Sequence, residues 1–432
     1  MSGKPPPISS RRIRRLAAAV RAGRPRAVPR FWTEMGRKGT PLIEKQPGSP
    51  HDYWVTFLWR GRRGVTTVGL RSMLAGQVPA ESLLTRLPGT DVWYRTYPVR
   101  DDYREWYQFA LNEPLQPPHS PAEGDRRLRR RVPDPLNPKH VVYPRDPMFP
   151  HDVMKGADFP GSLVELPRAP RHREVSPRRG VPTGRLEAHV VSSRLLKEKR
   201  RIWVHVPAGV DPTRPGLHLA LFFDGFAYSR SLPGPTILDN LVASDRIAPV
   251  LSVFIDQLGV RKERVRDLCG SSPTFGRFLV EELLPWVERT YRVHPRPDRT
   301  MLVGLSCGGL AALHWAAQHP ERFRLVLSQS GSFQMAQPPD EEPGSLIRRM
   351  MSRPRLPLRI YMDAGLLEGN YVIPGGMTLL AANRHMRDVL SLKGYRVTYR
   401  EFNGGHEYQS WRETLVDGLV ALLGTGRARS KP

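Results

Sequence analysis

A short glycine-rich segment, Gly304–Gly309 (Gly-Leu-Ser-Cys-Gly-Gly), separates two apolar stretches of this chain. Residues 300–303 before it predict a buried strand, and the alanine-rich stretch 310–317 after it predicts a helix that ends near Pro320. A serine between a strand end and a helix start lies on a sharp turn that directs its hydroxyl outward. Glycine two residues to either side leaves room for the turn, because a Cβ there would clash with the neighbouring strand and helix.

This strand–serine–helix arrangement is typical of the nucleophile elbow of α/β-hydrolases. We therefore predict an α/β domain in which Ser306 is the nucleophile. A serine hydroxyl reacts only when a neighbouring base accepts its proton, and a third group holds that base in the correct tautomer. The motif consequently requires two partners further along the chain, an acid and then a histidine, each on a loop after a later strand.

The histidine is identified by its setting. His314 and His319 lie on the helix of the nucleophile itself, and His385 falls within a helical pattern. His406 follows the alternating, strand-like segment 395–402 and two glycines, which allow the loop to bend back over the sheet. We predict His406 as the general base.

Two carboxylates compete for the position of the acid. Residues 358–362 predict a strand, Asp363 lies at its end, and Glu368 lies in the loop beyond it. The acid of this fold usually follows its strand by a few residues, which favours Glu368. Asp363 stays an alternative, and so does a Ser–His pair that works without an acid.

Attack by serine on an ester places negative charge on the carbonyl oxygen, which N–H donors must stabilise. The backbone N–H of Cys307, directly after the serine, is the first predicted donor of this oxyanion hole. The second is predicted on the loop after the strand 219–223, where Asp224 and Gly225 form a turn. We select the N–H of Phe226.

Chain length and composition predict the domain organisation. A chain of 432 residues is too long for one ordinary core. We expect four segments: a basic disordered tail over 1–30, an N-terminal antiparallel β-sandwich over 31–150, a Pro- and Arg-rich linker over 151–184 and the α/β-hydrolase domain over 185–425. Short aromatic strands indicate the sandwich. Paired arginines in the tail resemble an export signal, but the apolar stretch behind them is too short for one.

Composition also limits the partners. No apolar stretch approaches the ~20 residues of a membrane helix, and no cluster of metal ligands occurs, so we expect neither a membrane partner nor a metal or cofactor. Cys269 and Cys307 make no disulfide framework, and we expect them reduced in a cytoplasmic protein. The net charge of +26 is spread along the chain without a nucleic-acid motif. A positive field that attracts an anionic substrate is the interpretation we prefer over nucleic-acid binding.

Seven segments carry a resemblance to a known family. They are 55–61 (VTFLWRG), 87–96 (LPGTDVWYRT), 134–138 (DPLNP), 163–167 (LVELP), 264–268 (RVRDL), 282–287 (ELLPWV) and 404–408 (GGHEY). Together they resemble bacterial enterochelin (enterobactin) esterases over about residues 50–423. The resemblance implies a β-domain ahead of an esterase D-like hydrolase domain. It also implies hydrolysis, in the cytoplasm, of the seryl ester bonds of iron-loaded catecholate siderophores, with iron only as part of the substrate.

The resemblance also implies roles for particular residues. Ser306 and His406 match the nucleophile and base of the family, and its Gly-x-x-Glu loop aligns with Gly365–Glu368, which supports Glu368 over Asp363.

The family's Arg-x-Arg-Glu-Leu segment matches 264–268, which implies that Arg264 and Arg266 bind the anionic ferric catecholate. Two departures lie beside the expected pocket: Cys307 replaces the usual aromatic residue, and Phe226-Ala227 replaces the customary stretch after Asp-Gly. They leave the identity of the siderophore open.

Three other functions are compatible with the residues alone. The first is an esterase for feruloyl or other simple esters, and the second is a mycolyl-type acyltransferase with a sugar acceptor. The third is a non-catalytic protein that binds a siderophore or nucleic acid. The oligomeric state is not determined by any of these features.

Overall fold

The chain divides into two compact units. The computed structural model describes residues 8–76, 78–146, 157–213, 216–256, 261–338, 342–370 and 376–426. The first unit comprises Met1–Arg145, Gly156–Pro170 and Asn403–Gly405, and the second comprises Asp146–Lys155, Arg171–Phe402 and His406–Pro432. No helix within the described ranges combines the length and the apolar character needed to cross a bilayer.

The first unit contains two antiparallel sheets. Its elements are α1 (Arg11–Arg21), α2 (Ala27–Lys38), β1 (Leu42–Lys45), β2 (Asp52–Arg60), β3 (Val68–Arg71), β4 (Thr85–Arg86), β5 (Val92–Arg100), β6 (Arg104–Leu111), α3 (Pro121–Arg129), β7 (His140–Tyr143) and β8 (Phe159–Glu165). The strand orders are β1-β2-β5-β4 and β3-β6-β8-β7. Aromatic rings from the two sheets pack edge to face: Phe57 of β2 lies 4.8 Å from Tyr107 of β6, centroid to centroid. This packing confirms the predicted β-sandwich.

The N-terminal segment is helical, so the prediction of a disordered tail over 1–30 is wrong for the residues that the structure describes. The Ser10 Oγ accepts the N–H of Ile13 at 3.2 Å and caps α1. Ile13 of α1 and Met35 of α2 are fully buried, in one apolar cluster with Leu58 of β2. Arginines on the exposed face dominate the composition of the segment and suggest a disordered tail. The apolar residues between them recur at helical spacing and form a buried face, which the composition does not reveal.

The predicted linker over 151–184 is also partly structured. Residues 151–156 lie outside the described ranges, but Phe159–Glu165 forms β8, which pairs with both β6 and β7. Leu163 and Val164 of this strand are buried. The first unit therefore continues past residue 150, because the apolar residues of a short strand outweigh the prolines around it.

The second unit is a mixed eight-stranded sheet with helices on both faces. Its elements are β9 (Arg185–Ser193), β10 (Glu198–Val206), β11 (His218–Phe222), α4 (Gly234–Ala243), β12 (Val250–Ile255), α5 (Arg261–Arg264), α6 (Pro273–Arg277), α7 (Leu284–Tyr291), β13 (Thr300–Leu305), α8 (Cys307–Gln318), β14 (Leu325–Gln329), α9 (Ser345–Ser352), β15 (Arg359–Gly365), α10 (Leu379–Leu392), β16 (Arg396–Phe402) and α11 (Tyr408–Leu423). Single π-helical segments span Ala227–Ser231, Val265–Cys269 and Phe278–Leu283.

The strand order of this sheet is β16-β15-β14-β13-β11-β12-β10-β9. The six strands from β11 to β16 run parallel, and β9 and β10 add to the edge in antiparallel pairing. Successive residues of β11 belong to different cores, Leu221 to one face of the sheet and Phe222 to the other. Burial on both faces explains why the central strands are apolar throughout. The predicted α/β-hydrolase class is confirmed.

Candidate active site

Ser306 lies between the end of β13 and the start of α8. Its backbone has φ +56° and ψ −122°. Residues other than glycine rarely adopt this conformation, which makes the turn sharp. A Cβ added at Gly304 would lie 2.1 Å from the carbonyl carbon of Gly308, which means that strand and helix approach each other without room for a side chain. The turn has the local geometry that the sequence predicts for a nucleophile elbow.

The structure brings Ser306, His406 and Glu368 into one hydrogen-bonded chain. The Nε2 of His406 is 3.0 Å from the Ser306 Oγ, and its Nδ1 is 2.8 Å from Oε1 of Glu368. His406 lies in the loop between β16 and α11, and Glu368 lies in the 3₁₀ turn Leu366–Asn370 after β15. Because the carboxyl ends of parallel strands meet at one edge of a sheet, loops far apart in sequence converge there.

The surroundings hold the histidine ring in one orientation. Glu368 is fully buried, and its second oxygen accepts the N–H of Gly365 at 2.9 Å. A carboxylate only accepts hydrogen bonds, so it fixes the ring proton on Nδ1 and leaves the lone pair of Nε2 directed at the serine. The ring also packs edge-on against Trp411, 4.7 Å between centroids. This arrangement can transfer a proton from Ser306 to His406.

Asp363, the alternative acid, has a different environment. It is fully buried at the end of β15, where its Oδ1 accepts the N–H of Ser330 at 3.1 Å. Burial, together with the nearby charge of Glu368, raises the pKa of Asp363 to about 8. The structure pairs His406 with Glu368 rather than with this carboxyl, whose raised pKa favours the protonated form at pH 7.

The two predicted oxyanion donors lie on loops that are in contact. Cys307 is the first residue of α8, where a backbone N–H has no acceptor within the helix. Phe226 precedes the π-helical turn that follows β11, the parallel neighbour of β13. A Cβ added at Gly308 would lie 3.3 Å from the Cβ of Phe223 and 3.2 Å from Oδ2 of Asp224. The roles of Cys307 and Phe226 stay predictions.

The comparison with protein families identifies the chain. Residues 192–422 match the family described as "Putative esterase", and residues 54–175 match the family described as "Enterochelin esterase, N-terminal". The chain belongs to the enterochelin esterase family. The predicted family is confirmed, and the protein is an esterase.

Relatives of this enterochelin esterase match it over nearly their whole length. The iron(III) enterobactin esterase of Dickeya dadantii is 30% identical over 91% of this chain and 92% of its own. Two solved structures agree with the fold. The enterobactin esterase of Shigella flexneri, crystallised in the presence of enterobactin, is 27% identical with a TM-score of 0.67, over 91% of this chain and 97% of that one. The ferric enterobactin esterase of Salmonella typhimurium is 25% identical with a TM-score of 0.73, over 91% and 98%.

The two arginines that the resemblance assigns to the substrate are paired with carboxylates of this esterase itself. Arg264 donates from Nε and Nη2 to the two oxygens of Asp224, at 2.6 and 2.7 Å. Arg266 donates to Oδ1 of Asp267 at 2.6 Å and to Oε1 of Glu198 at 2.9 Å. Their side chains are 31% and 44% exposed. Their contact with substrate stays a prediction.

The expectation of two reduced cysteines is wrong in this structure, where Cys269 and Cys307 form a disulfide. The two residues are 38 positions apart in sequence. Only the packing of α8 against the segment Val265–Cys269 brings their side chains together. Spacing alone contains no signal for this pairing.

Ser332 is a neighbour of the nucleophile that the sequence analysis does not name. Its Oγ is 3.3 Å from the Oγ of Ser306, and its N–H donates to the Ser306 carbonyl at 3.0 Å. The signal for it is the polar run 328–332 (Ser-Gln-Ser-Gly-Ser) at the carboxyl end of a buried strand, the same edge of the sheet that carries Ser306.

Proposed function

We propose that this esterase hydrolyses the seryl ester bonds of an iron-loaded catecholate siderophore of the enterobactin type. The observation that carries the proposal is the hydrogen-bonded chain of Ser306, His406 and Glu368 in a protein that matches the iron(III) enterobactin esterase of Dickeya dadantii over 91% of its length. The relatives supply the class of substrate, and the hydrogen bonds supply the chemistry.

Acylation begins when the Oγ of Ser306 attacks the ester carbonyl carbon. His406 accepts the serine proton on Nε2, and Glu368 stabilises the resulting imidazolium through Nδ1. We assign the charge that develops on the carbonyl oxygen to the backbone N–H groups of Cys307 and Phe226, since N–H donors that are fixed before the reaction need no reorganisation during it.

The tetrahedral intermediate then collapses and the ester C–O bond breaks. His406 protonates the departing seryl oxygen, which leaves a free hydroxyl and an acyl group on Ser306. Water, deprotonated by His406, attacks that acyl group, and the reverse proton transfer releases a carboxylate and the free enzyme. Opening the ring leaves its catecholates joined only by a flexible linear chain, and cleavage of the remaining ester bonds separates them, which weakens the hold on iron.

The substrate is an anion, and Arg264 and Arg266 are the cations that we assign to it. Both guanidinium groups are partly exposed, so a catecholate can approach them from the solvent side while they are paired with carboxylates. The assignment predicts that replacing Arg266 with an uncharged residue raises KM for the ferric siderophore without lowering kcat.

Product analysis by mass spectrometry tests the proposal. Ferric enterobactin incubated with the wild type should yield linear trimer, dimer or monomer of dihydroxybenzoylserine, and the summed mass of the products should exceed that of the cyclic ligand by one water for each bond cleaved. Ser306→Ala and His406→Ala should lose activity by about 10⁴-fold or more while they stay folded. Cleavage by Ser306→Ala at the wild-type rate, or transfer of the acyl group to a sugar instead of water, would refute the proposal.

We propose the cytoplasm as the compartment of this reaction, on the strength of the family resemblance. The disulfide between Cys269 and Cys307 makes a direct test worthwhile, because disulfides persist mainly in oxidising compartments. Cell fractionation followed by immunodetection should recover the protein with cytoplasmic markers. Recovery with periplasmic or secreted markers would contradict this assignment.

A further inference from the structure

One short segment contacts both loops that carry the proposed oxyanion donors. This segment, Arg264–Cys269, includes the last residue of α5 and the π-helical turn after it. At its start, Arg264 forms a bidentate ion pair with Asp224, two residues before Phe226. At its end, Cys269 is bonded to Cys307. We call Arg264–Cys269 the bridging segment.

The Phe226 loop depends on the first of these contacts. Asp224 adopts a left-handed conformation, with φ +57°, and its carbonyl accepts the N–H of Tyr228 at 3.1 Å. Such a conformation is uncommon for a residue with a side chain, and it persists where the surroundings hold it. The two parallel hydrogen bonds from Arg264 fix the Asp224 carboxylate in position and orientation. The ion pair therefore holds the turn that leads into Phe226.

The Cys307 end of the site depends on the second contact. Cys307 is the first residue of α8, and its backbone N–H is the other proposed donor. Its side chain and that of Cys269 are almost fully buried, 7% and 5% exposed. A covalent link at this residue limits how far the first turn of α8 can move relative to the bridging segment.

We propose that the bridging segment positions the oxyanion hole, and that its disulfide makes the turnover rate depend on the oxidation state of the protein. The inference rests on the proposed function, since it concerns the donors used in that reaction. In this role Arg264, Asp224 and Cys269 act through Phe226 and Cys307, so they are positioning residues, and the proposed contact of Arg264 with the siderophore is a separate role. The presence of cysteine at position 307 gives this chain a redox sensitivity that an aromatic residue there could not provide.

The redox step is a thiol–disulfide exchange with a dithiol. The dithiol contributes two electrons and two protons, the Cys269–Cys307 S–S bond breaks, two thiols form, and the dithiol becomes a disulfide. The ester substrate takes no part. The reduced enzyme keeps the pair between Arg264 and Asp224, so we expect it to be slower rather than inactive.

Steady-state kinetics of the oxidised and the dithiothreitol-reduced wild type test the inference, with ferric enterobactin and a p-nitrophenyl ester as substrates. Loss of one oxyanion donor costs about 10²–10³-fold, and a displaced donor costs less, so reduction should lower kcat by about 10- to 100-fold. KM should change by less than about twofold, because the oxyanion forms after binding. Reoxidation should restore kcat.

Cys269→Ser serves as a permanent mimic of the reduced state. It should match the reduced wild type in kcat and should not respond to dithiothreitol, and circular dichroism should show that it is folded. Equal kcat, within about twofold, for the oxidised wild type and this variant would overturn the redox part of the proposal. This comparison does not depend on how readily the buried disulfide is reduced.

Arg264→Ala and Arg264→Lys test the other end of the bridging segment. Positioning predicts that the alanine variant loses kcat on the neutral p-nitrophenyl ester as well as on the siderophore, and that lysine restores part of it. If the alanine variant changes only KM for the anionic substrate, Arg264 binds substrate and the positioning role is refuted. A wild type that cleaves no ester in either redox state would instead refute the proposed function.

Discussion

Asp363 and Glu368 are both fully buried and lie five positions apart, yet the protein uses them differently. Glu368 faces the imidazole of His406, where an ionised carboxylate gains from the nearby cation that forms during catalysis. Asp363 faces the backbone N–H of Ser330 and holds its proton to about pH 8. Keeping one carboxyl neutral avoids two adjacent buried negative charges.

This difference predicts that two isosteric variants differ strongly in activity. Glu368→Gln leaves His406 without a charged partner and allows the wrong tautomer, so kcat/KM should fall by about 10⁴-fold. Asp363→Asn replaces a group that is already neutral, and kcat/KM should stay within about threefold at pH 7. Ester hydrolysis by the two purified variants under the same conditions provides the measurement. A greater loss in Asp363→Asn than in Glu368→Gln would reverse the assignment of the acid.

The raised pKa of Asp363 also predicts a pH dependence of stability. The folded state keeps this proton up to about pH 8, whereas the unfolded chain releases it near the ordinary value of 3.8. Rising pH between these values therefore favours the unfolded state, and the free energy of unfolding decreases.

Asp363→Asn removes this contribution. Between pH 5 and pH 8, the wild type should lose up to about 4 kcal/mol more stability than the variant, at about 1.4 kcal/mol per pH unit. Urea denaturation of both proteins at the two pH values measures the difference. Identical slopes for the two proteins would mean that Asp363 is ionised in the folded state.

At the scale of elements, the turn from β13 into α8 contains two glycines, Gly304 and Gly308, which differ in how much space a side chain would have. A Cβ at Gly304 would lie 2.1 Å from a backbone carbon of the helix, whereas a Cβ at Gly308 would find its nearest atoms at 3.2 and 3.3 Å. Backbone atoms of a packed strand and helix cannot move aside cheaply, but a few tenths of an ångström can be absorbed by neighbouring side chains.

We therefore expect Gly304→Ala to be severe and Gly308→Ala to be mild. Gly304→Ala should lower the melting temperature by several degrees and reduce kcat by at least about 100-fold, because displacement of the turn moves the Ser306 Oγ away from His406. Gly308→Ala should keep kcat within about tenfold. Thermal denaturation and ester hydrolysis of the pair measure both effects, and equal losses in the two variants would show that the turn is not sterically limited.

At the scale of the whole molecule, the net charge of +26 surrounds the protein with a positive electrostatic potential. Such a field raises the rate at which an anion reaches the protein, and salt screens it over about 10 Å at 0.1 M. We expect kcat/KM for ferric enterobactin to fall by about tenfold between 20 mM and 200 mM salt. The value for a neutral p-nitrophenyl ester should stay constant. The same salt response for both substrates would exclude electrostatic attraction of the siderophore.

The sequence by itself determined the α/β class, the position of Ser306 on its turn and the strand-to-loop setting of His406. These features depend on local patterns, namely apolar runs, alternation of apolar and polar residues, and glycines at fixed spacing. Each such pattern is compatible with few local structures. Short aromatic strands indicated the β-domain, and the family resemblance favoured the loop that carries Glu368 as the acid loop. Local composition also misled, because the arginines of the first helix concealed the buried face formed by Ile13 and Leu16.

Only the tertiary structure decided which groups meet. It paired His406 with Glu368 instead of Asp363, it joined Cys269 to Cys307, and it directed Arg264 to Asp224. The members of each pair lie 38, 38 and 40 positions apart in sequence. Contacts across such distances depend on the register of neighbouring strands and on the packing of loops at one edge of the sheet, and no local pattern encodes them.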